Sequence, residues 1–379
     1  MKISSHIIQF RKDLHSDPEL SGKEYRTKDK ILNFFKQYKP DKITELSNTG
    51  LAFSFEGKEP GKTIMFRADT DALPFDEENN IAHRSKNPAV MHACGHDGHS
   101  AILTALAEKL HNKPPQKGRA VLLFQPAEET GQGAYELLQT PEFKQLEPDY
   151  VFGLHNIPGE EKHTILLKEN SFASASEGMI IELKGKSSHA AEPENGNSPV
   201  WAIKEVIAAV KDITDNKKQF KDFILITPIH IKMGEQAFGT TPGKAVIMLT
   251  LRSYTNEDMS LLRNKTKDRI SEIAKSHNLQ LDISYTEVFP ATENHPEAYN
   301  ILHKVTKNKQ LNIKYNPQPY RWSEDFGNYL NNYPGAFFGL GSGLKQAKLH
   351  NPDYDFPDEI IATGSELFYG ICEEFLYDN

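Results

Sequence analysis

Four short β-rich runs, Leu51–Glu56, Thr63–Arg67, Ala120–Phe124 and Tyr150–Leu154, alternate with helical patterns that include Ile31–Tyr38 and His99–Leu110. Within the second of these helical segments Ile102, Leu103, Leu106 and Leu110 fall three or four residues apart, laying one apolar stripe along a helix. Strands interleaved with helices pack as a sheet covered by those helices. The first 175 residues therefore predict an α/β fold, an open mixed sheet with helices on both faces. A strand-like run at Ala336–Leu340 and a helix near Glu359–Phe375 resume the same style at the C-terminus.

The middle of the chain breaks that rhythm. Between about 178 and 288 the pattern reads strand Met179–Leu183, helix Pro199–Thr214, strand Ile224–Lys232, strand Ala245–Leu251, helix Asn256–His277 and strand Leu281–Tyr285. That βαββαβ order is ferredoxin-like. Pro228 would cost a ladder hydrogen bond in a central strand, but the second strand of this topology is an edge, where proline is tolerated. At roughly 150 residues per domain, 379 residues suggest two or three domains. The reading adopted is two: a catalytic domain of residues 1–177 and 289–379, and an inserted α+β lid or dimerisation domain of residues 178–288.

With 44 basic and 52 acidic side chains the net charge is −8, and the composition is that of a globular chain rather than a disordered or disulfide-built one. No long Lys/Arg cluster offers nucleic acid a footprint, and no basic amphipathic stretch suits a membrane surface. A small-molecule partner is the expectation. The N-terminal apolar residues are interrupted by His6, Gln9, Arg11 and Lys12, unlike a signal peptide, and no run approaches the roughly 20 apolar residues that span a bilayer. The expected location is the cytoplasm. Of the two cysteines, Cys372 lies in an apolar stretch and reads as a buried, inert thiol, whereas Cys94 sits among His92, His96, Asp97 and His99.

Open α/β sheets bind ligands beyond the carboxyl ends of their strands. There the chain reads Arg67-Ala68-Asp69-Thr70-Asp71, Gln125-Pro126-Ala127-Glu128-Glu129 and His155-Asn156, while Cys94-Gly95-His96-Asp97-Gly98-His99 opens a helix. Thiolate, imidazole and carboxylate together suit zinc or a related divalent ion better than magnesium or calcium, which prefer oxygen alone. Adjacent side chains beyond a strand end diverge, so one of Glu128 and Glu129 can ligate while the other faces a water as general base. An isolated Glu-Glu pair is ordinarily two solvated charges, and a lone histidine is ordinarily a surface or core residue. Their co-occurrence at several strand ends favours a site.

The motifs Met91-His92-Ala93-Cys94-Gly95-His96-Asp97-Gly98-His99, Phe124-Gln125-Pro126-Ala127-Glu128-Glu129, Gly153-Leu154-His155 and Leu349-His350-Asn351-Pro352 resemble the metal-dependent amidohydrolases typified by hippurate hydrolase, N-acetyl-diaminopimelate deacetylase and the indole-acetyl-amino-acid hydrolases. The likeness runs nearly end to end in unchanged order and includes Arg67–Pro74, Ser188–Pro193 and Ser323–Phe326. It implies a zinc-exopeptidase-like fold and two divalent ions per subunit, manganese or zinc first and nickel or cobalt as alternatives. The ligands it implies are Cys94, His96, Glu129, His155 and His350, with Glu128 as general base and N-acyl amino acids as substrates. Where the wider aminoacylase and carboxypeptidase superfamily places a ligating His-x-Asp, this chain has Arg67-Ala68-Asp69, and Arg67 cannot ligate. Cys94, whose sulfur has several lone pairs, is then the expected bridge, with Asp69 and Asp97 orienting ligands.

The resemblance further implies that His189 polarises the scissile carbonyl, commonly in the active site of the partner subunit, and hence a homodimer. The chain departs from the family in Gly234–Pro242, where Gly239, the substrate-binding position, replaces an asparagine that helps bind the polar end of the substrate, so neither substrate preference nor full activity carries over from the resemblance. A dipeptidase or carboxypeptidase would use the same site with another leaving group. A catalytically weakened metal-binding relative is the alternative of a different class.

Overall fold

The chain divides into two compact units, Met1–Phe172 with Thr292–Gln318 and Asp325–Asn379, and Ala173–Ala291 with Pro319–Glu324. The computed structural model describes residues 3–378. The first unit opens with helices α1 (Ser5–His15) and α2 (Tyr25–Phe35) and strands β1 (Lys42–Leu46), β2 (Gly50–Glu56) and β3 (Glu59–Asp69). Helix α3 (His96–Asn112), strand β4 (Lys117–Gln125), the short helices α4 (Gly133–Gln139) and α5 (Pro141–Lys144), and strands β5 (Tyr150–Pro158) and β6 (Ile165–Leu167) follow. The second unit contains β7 (Ala175–Lys184), β8 (Ser188–His189), α6 (Val200–Asp215), β9 (Ile224–Met233), β10 (Thr240–Thr241), β11 (Lys244–Ser253), α7 (Asn256–Ser276) and β12 (Gln280–Phe289). The chain then completes the first unit with α8 (Pro296–Asn308), β13 (Ile313–Tyr315), α9 (Gly327–Leu330), β14 (Gly335–Gly343) and α10 (Ile361–Leu376).

Eight strands of the first unit form one mixed sheet in the order β1-β2-β4-β3-β5-β14-β6-β13. Its centre, β4-β3-β5-β14, is parallel. From β3 the chain moves to one side to make β4 and then back across to make β5, so β3 marks a topological switch point with a crevice at its carboxyl end. Alternation along β3 divides its side chains between the two faces. Ile64, Phe66 and Ala68 join a core with Ile102 and Leu106 of α3 and Phe368 of α10, while Arg67, on the opposite face, is also buried. The α-helix expected to include Ile31–Tyr38 ends at Phe35 and tightens into a 3₁₀ turn over Lys36–Tyr38.

In the second unit an antiparallel sheet runs β12-β7-β11-β9, the ferredoxin-like arrangement. Ile247, Leu249 and Leu251 of β11 share a core with Val206 of α6 and Leu262 of α7. Strand β9 is an edge, and Pro228 lies opposite Leu249, beside a bulge between Met248 and Leu249. Edge strands and bulges are the places where a sheet tolerates proline. Among the described residues no helix is long and apolar enough to cross a membrane.

Helix α1 is held by charge as well as by its apolar residues. Arg11 is buried and donates from Nη1 to Asp355 (2.7 Å) and Asp97 (3.2 Å) and from Nε to Asp358 (2.9 Å). His15, also buried, donates to Asp97 (2.9 Å) and meets Glu77 at 3.2 Å. Burial alone would lower the His15 pKa, but Asp97, with help from Glu77, raises it to about 9. A folded-state pKa above the unfolded 6.5 stabilises the protein fully below that value, and the contribution fades as pH rises through 9. Thermal melts between pH 6 and 9 should therefore show wild type losing stability on the order of 3 kcal/mol more than His15→Asn. Parallel melting curves for the two proteins would remove His15 as the cause.

Candidate metal centre

The carboxyl ends of β4 and β5, the first turn of α3 with Cys94 before it, and the segment between β14 and α10 that bears His350 bring the expected ligands together. Cys94 precedes α3 through Gly95, whose φ of +97° places it in the left-handed region. A Cβ at Gly95 would lie 2.4 Å from Asn156 Oδ1, so only glycine fits there. Cys94 Sγ lies 3.3 Å from His155 Nε2. His96 Nε2 lies 3.8 Å from Glu129 Oε1, and His350 Nε2 lies 3.6 Å from Glu129 Oε2. Two donor sets result, Cys94-His96-His155 and Cys94-Glu129-His350, in each of which the ligand atoms are within 4.8 Å of one another. Cys94 is common to both.

The ring orientations suit metal binding. His96 donates from Nδ1 to the Asp71 carbonyl (2.9 Å), and His155 donates from Nδ1 to the Asn156 carbonyl (2.9 Å). With Nδ1 so occupied, each ring turns its Nε2 toward the crevice, the nitrogen whose lone pair a metal would take in place of a proton. Burial at His96 is outweighed by the carboxylates Asp69, Asp71 and Glu129, which push its pKa up to about 10. His96 Nε2 and Glu129 Oε1 are buried, and neither has a hydrogen-bond partner. Burial pushes the Glu129 carboxyl above its ordinary range against the opposing pull of His96, and it pushes the His155 imidazole well below its own. The unpartnered His96 nitrogen and Glu129 oxygen, with the Cys94 sulfur close by, make a buried donor set of mixed N, O and S character that fits a divalent cation, which would satisfy lone pairs and carboxylate charge together.

Glu128 and Glu129 are placed differently. Glu129 faces both His96 and His350, whereas Glu128 lies 3.9 Å from His96 Nε2 and accepts from the Asp325 backbone N–H at 3.4 Å. The turn that carries both closes on Gly133, where a Cβ would strike the Pro126 carbonyl oxygen at 1.8 Å.

Asp69 accepts from Arg67 (2.6 Å) and pairs with His99 Nδ1 (2.6 Å), 3.7 Å from His96 Nε2. Burial would raise its pKa, but His96, His99 and Arg67 hold it well below the ordinary range. Asp97, expected to orient a ligand, instead turns its Oδ2 toward Arg11 and His15 of α1, because those buried cations need a counter-charge at that point. The residue that contacts two of the expected ligands is Asp71. It holds His96 Nδ1 with its carbonyl, has Oδ1 3.2 Å from the same nitrogen, and accepts the Glu129 N–H at 3.0 Å. The alternation Asp69-Thr70-Asp71 beyond a strand end was the available signal for it. His99 and Asn156, joined through Nε2 and Oδ1 at 2.6 Å, extend this polar layer to the Tyr354 hydroxyl.

His189 lies in the second unit, exposed on β8, opposite Thr240 of β10. Its Nδ1 accepts from the Ala191 N–H at 3.1 Å, which leaves the neutral ring's proton on Nε2. Gly239 is exposed, and its carbonyl accepts from Ala190 at 3.0 Å. A Cβ there would meet nothing within 4 Å, so the local fold does not require glycine.

Residues 65–374 match the profile of peptidase family M20/M25/M40. The chain is 30% identical to hippurate hydrolase of Campylobacter jejuni, covering 99% of this chain and 98% of that one. It is 31% identical to N-acetyldiaminopimelate deacetylase of Lactobacillus helveticus, with 97% and 96% covered. The Bacillus subtilis YXEP protein, a dinuclear metal binding peptidase from the M20 family, superposes with a TM-score of 0.83 at 25% identity over 97% of both chains. With the donor-lined crevice at the switch point, these matches establish that the chain belongs to peptidase family M20/M25/M40 and is a metal-dependent amide hydrolase.

Proposed function

We propose that this protein hydrolyses the amide bond of an N-acyl amino acid, releasing a carboxylic acid and a free amino acid, with Glu128 as general base. Two divalent ions, manganese or zinc, would be held by Cys94, His96, Glu129, His155 and His350, with Cys94 shared between them. Ions held there would supply Lewis acidity, lowering the pKa of water and polarising the amide carbonyl. The observation that carries the reading is the different placement of Glu128 and Glu129. Glu129 spans two imidazoles from separate elements, while Glu128 is buried beside them and held by a backbone N–H.

Glu128 removes a proton from the attacking water as its oxygen bonds to the acyl carbon, then returns the proton to the amine nitrogen as the C–N bond breaks. His189, with its proton on Nε2, donates a hydrogen bond to the carbonyl oxygen as charge develops there. Its exposure on β8 suits delivery to a partner subunit in a homodimer. N-acyl amino acids are favoured by the names of the full-length relatives, a hippurate hydrolase and an N-acetyldiaminopimelate deacetylase. A panel of N-acetyl- and N-benzoyl-amino acids and dipeptides, assayed with manganese, zinc, cobalt and nickel, tests the substrate class. Turnover of dipeptides alone would sink it.

Glu128→Gln should keep its metal and lose on the order of 10² to 10⁴ in turnover. Near-normal turnover would remove Glu128 from the role. In Cys94→Ala, elemental analysis should find lowered metal occupancy, because both donor sets lose a member; full occupancy would reduce Cys94 to a buried thiol. His189→Ala should retain metal and lose on the order of 10² to 10³ in kcat. When inactive His189→Ala and Glu128→Gln are mixed and exchange subunits, delivery in trans yields one complete site per mixed dimer, so activity should reappear. Proven exchange without recovery would exclude the trans arrangement.

A further inference from the structure

A buried carboxylate outside the proposed ligand set touches the turn that carries the general base. Glu24, at the start of α2, is 0% exposed, and its Oε1 accepts from the N–H of Gly22 (2.8 Å) and of Ala127 (2.9 Å). Its Oε2 is buried without a hydrogen-bond partner. A native protein rarely keeps an unpaired buried carboxyl oxygen without a reason beyond packing. The contact partner supplies one. Ala127 has a φ of +55°, in the left-handed region that side chains with a Cβ disfavour, and it is followed directly by Glu128 and Glu129.

The peptide groups of Ala127 are gripped on both sides. Its N–H is held by Glu24, and its carbonyl accepts from Gly133 N (3.0 Å) and Thr130 Oγ1 (3.2 Å). The loop that bears Glu24 is itself tied to the floor of the metal centre: Ser21 Oγ donates to Asp71 Oδ2 at 2.7 Å, and the Glu19 carbonyl accepts from Ala72 N at 2.8 Å. The geometry points to Glu24 as a positioning residue that fixes Ala127 in its strained conformation and thereby aims Glu128, an inference that rests on the reading of Glu128 as general base. Without that acceptor the Ala127 N–H is left buried and unsatisfied, and the turn gains by relaxing toward negative φ. One oxygen, Oε1, accepts both backbone N–H groups, so a glutamine that keeps an accepting oxygen on a side chain of the same length is a close substitute.

The test compares Glu24→Ala, Glu24→Gln, Glu24→Ala with Ala127→Gly, and Glu128→Gln as metal-loaded full chains on N-acetyl- and N-benzoyl-amino acids, with hydrogen exchange of residues 125–133 read on the same proteins. Glu24→Ala should keep its metal content and KM but lose on the order of 10- to 100-fold in kcat, the scale of a displacement near 1 Å of a reacting group. The Ala127 amide should lose protection in the same variant. Glu24→Gln should keep both kcat and protection. Adding Ala127→Gly to Glu24→Ala should recover part of the kcat, because glycine adopts the left-handed turn at no steric cost. Unchanged kcat and protection in Glu24→Ala, equal losses in Glu24→Gln, or loss of metal in place of kcat would overturn the positioning role while leaving Glu128 as base. Full turnover in Glu128→Gln would overturn both.

Discussion

The metal centre depends on a buried cation that cannot ligate. Arg67, on β3, directs its guanidinium away from the α3 and α10 core and donates to Asp69 (2.6 Å), Asp325 (2.6 Å) and Gln125 (2.8 Å). These bonds tie the end of β3 to the end of β4 and to the segment leading into α9. Asp325 also accepts from Gln125 Nε2 (2.8 Å) and Ala134 N (2.9 Å), so its backbone N–H reaches Glu128 from a fixed position. Removing one partner of so buried a pair leaves a charge uncompensated, a cost of about 3–5 kcal/mol. A histidine at this point could have ligated; the arginine instead freezes the strand ends on which the ligands stand.

What the sequence disclosed follows from what its side chains do locally. The strands of the parallel centre announce themselves because both faces are buried and the runs are continuously apolar. The edge position of β9 was readable from Pro228, whose missing N–H leaves few other places in a sheet. The segments that escaped notice lack such a signature. Strand β1 buries only Thr44 and Leu46, and β6 and β13 are three residues each. Helix α1 hides Arg11 and His15 in its interior face, so its apolar period is broken by the residues that anchor it.

The candidate site divides along the same line. Cysteine, histidine and glutamate beyond strand ends carry their chemistry in their identity, so a metal-competent rim is readable from position, while the set of five proposed ligands rests on the resemblance to the amidohydrolases. Which neighbour orients them is a matter of side-chain direction in a turn. Asp69, Asp71 and Asp97 look alike in the sequence, yet Asp71 holds His96 and Glu129 while Asp97 faces the cations of α1. Likewise Glu24 lies about a hundred residues before the turn it holds, with |i−j| of 103, a separation that no local pattern can bridge.

Some of the chain's departures from ordinary protein geometry lie at this crevice. Ala127 and His350 both have positive φ, at +55° and +63°, and both lie within or next to the proposed catalytic set. Buried atoms of His96, Glu129 and Glu24 have no hydrogen-bond partner. Each such feature costs stability, and strained backbone persists only where the surroundings over-determine it. Here the surroundings are the Arg67 ion pairs, the close packing at Gly95 and Gly133, and the acceptors that grip Ala127. A divalent ion bound by the unpaired donors would relieve the electrostatic part of that cost but not the conformational part, so the shape of the turn bearing Glu128 must be set by the polypeptide itself. On the proposed reading, the strained turn and its buried props are what would hold Glu128 beside the metal ligands as a base, although its side chain is as near His96 Nε2 (3.9 Å) as that of Glu129 (3.8 Å).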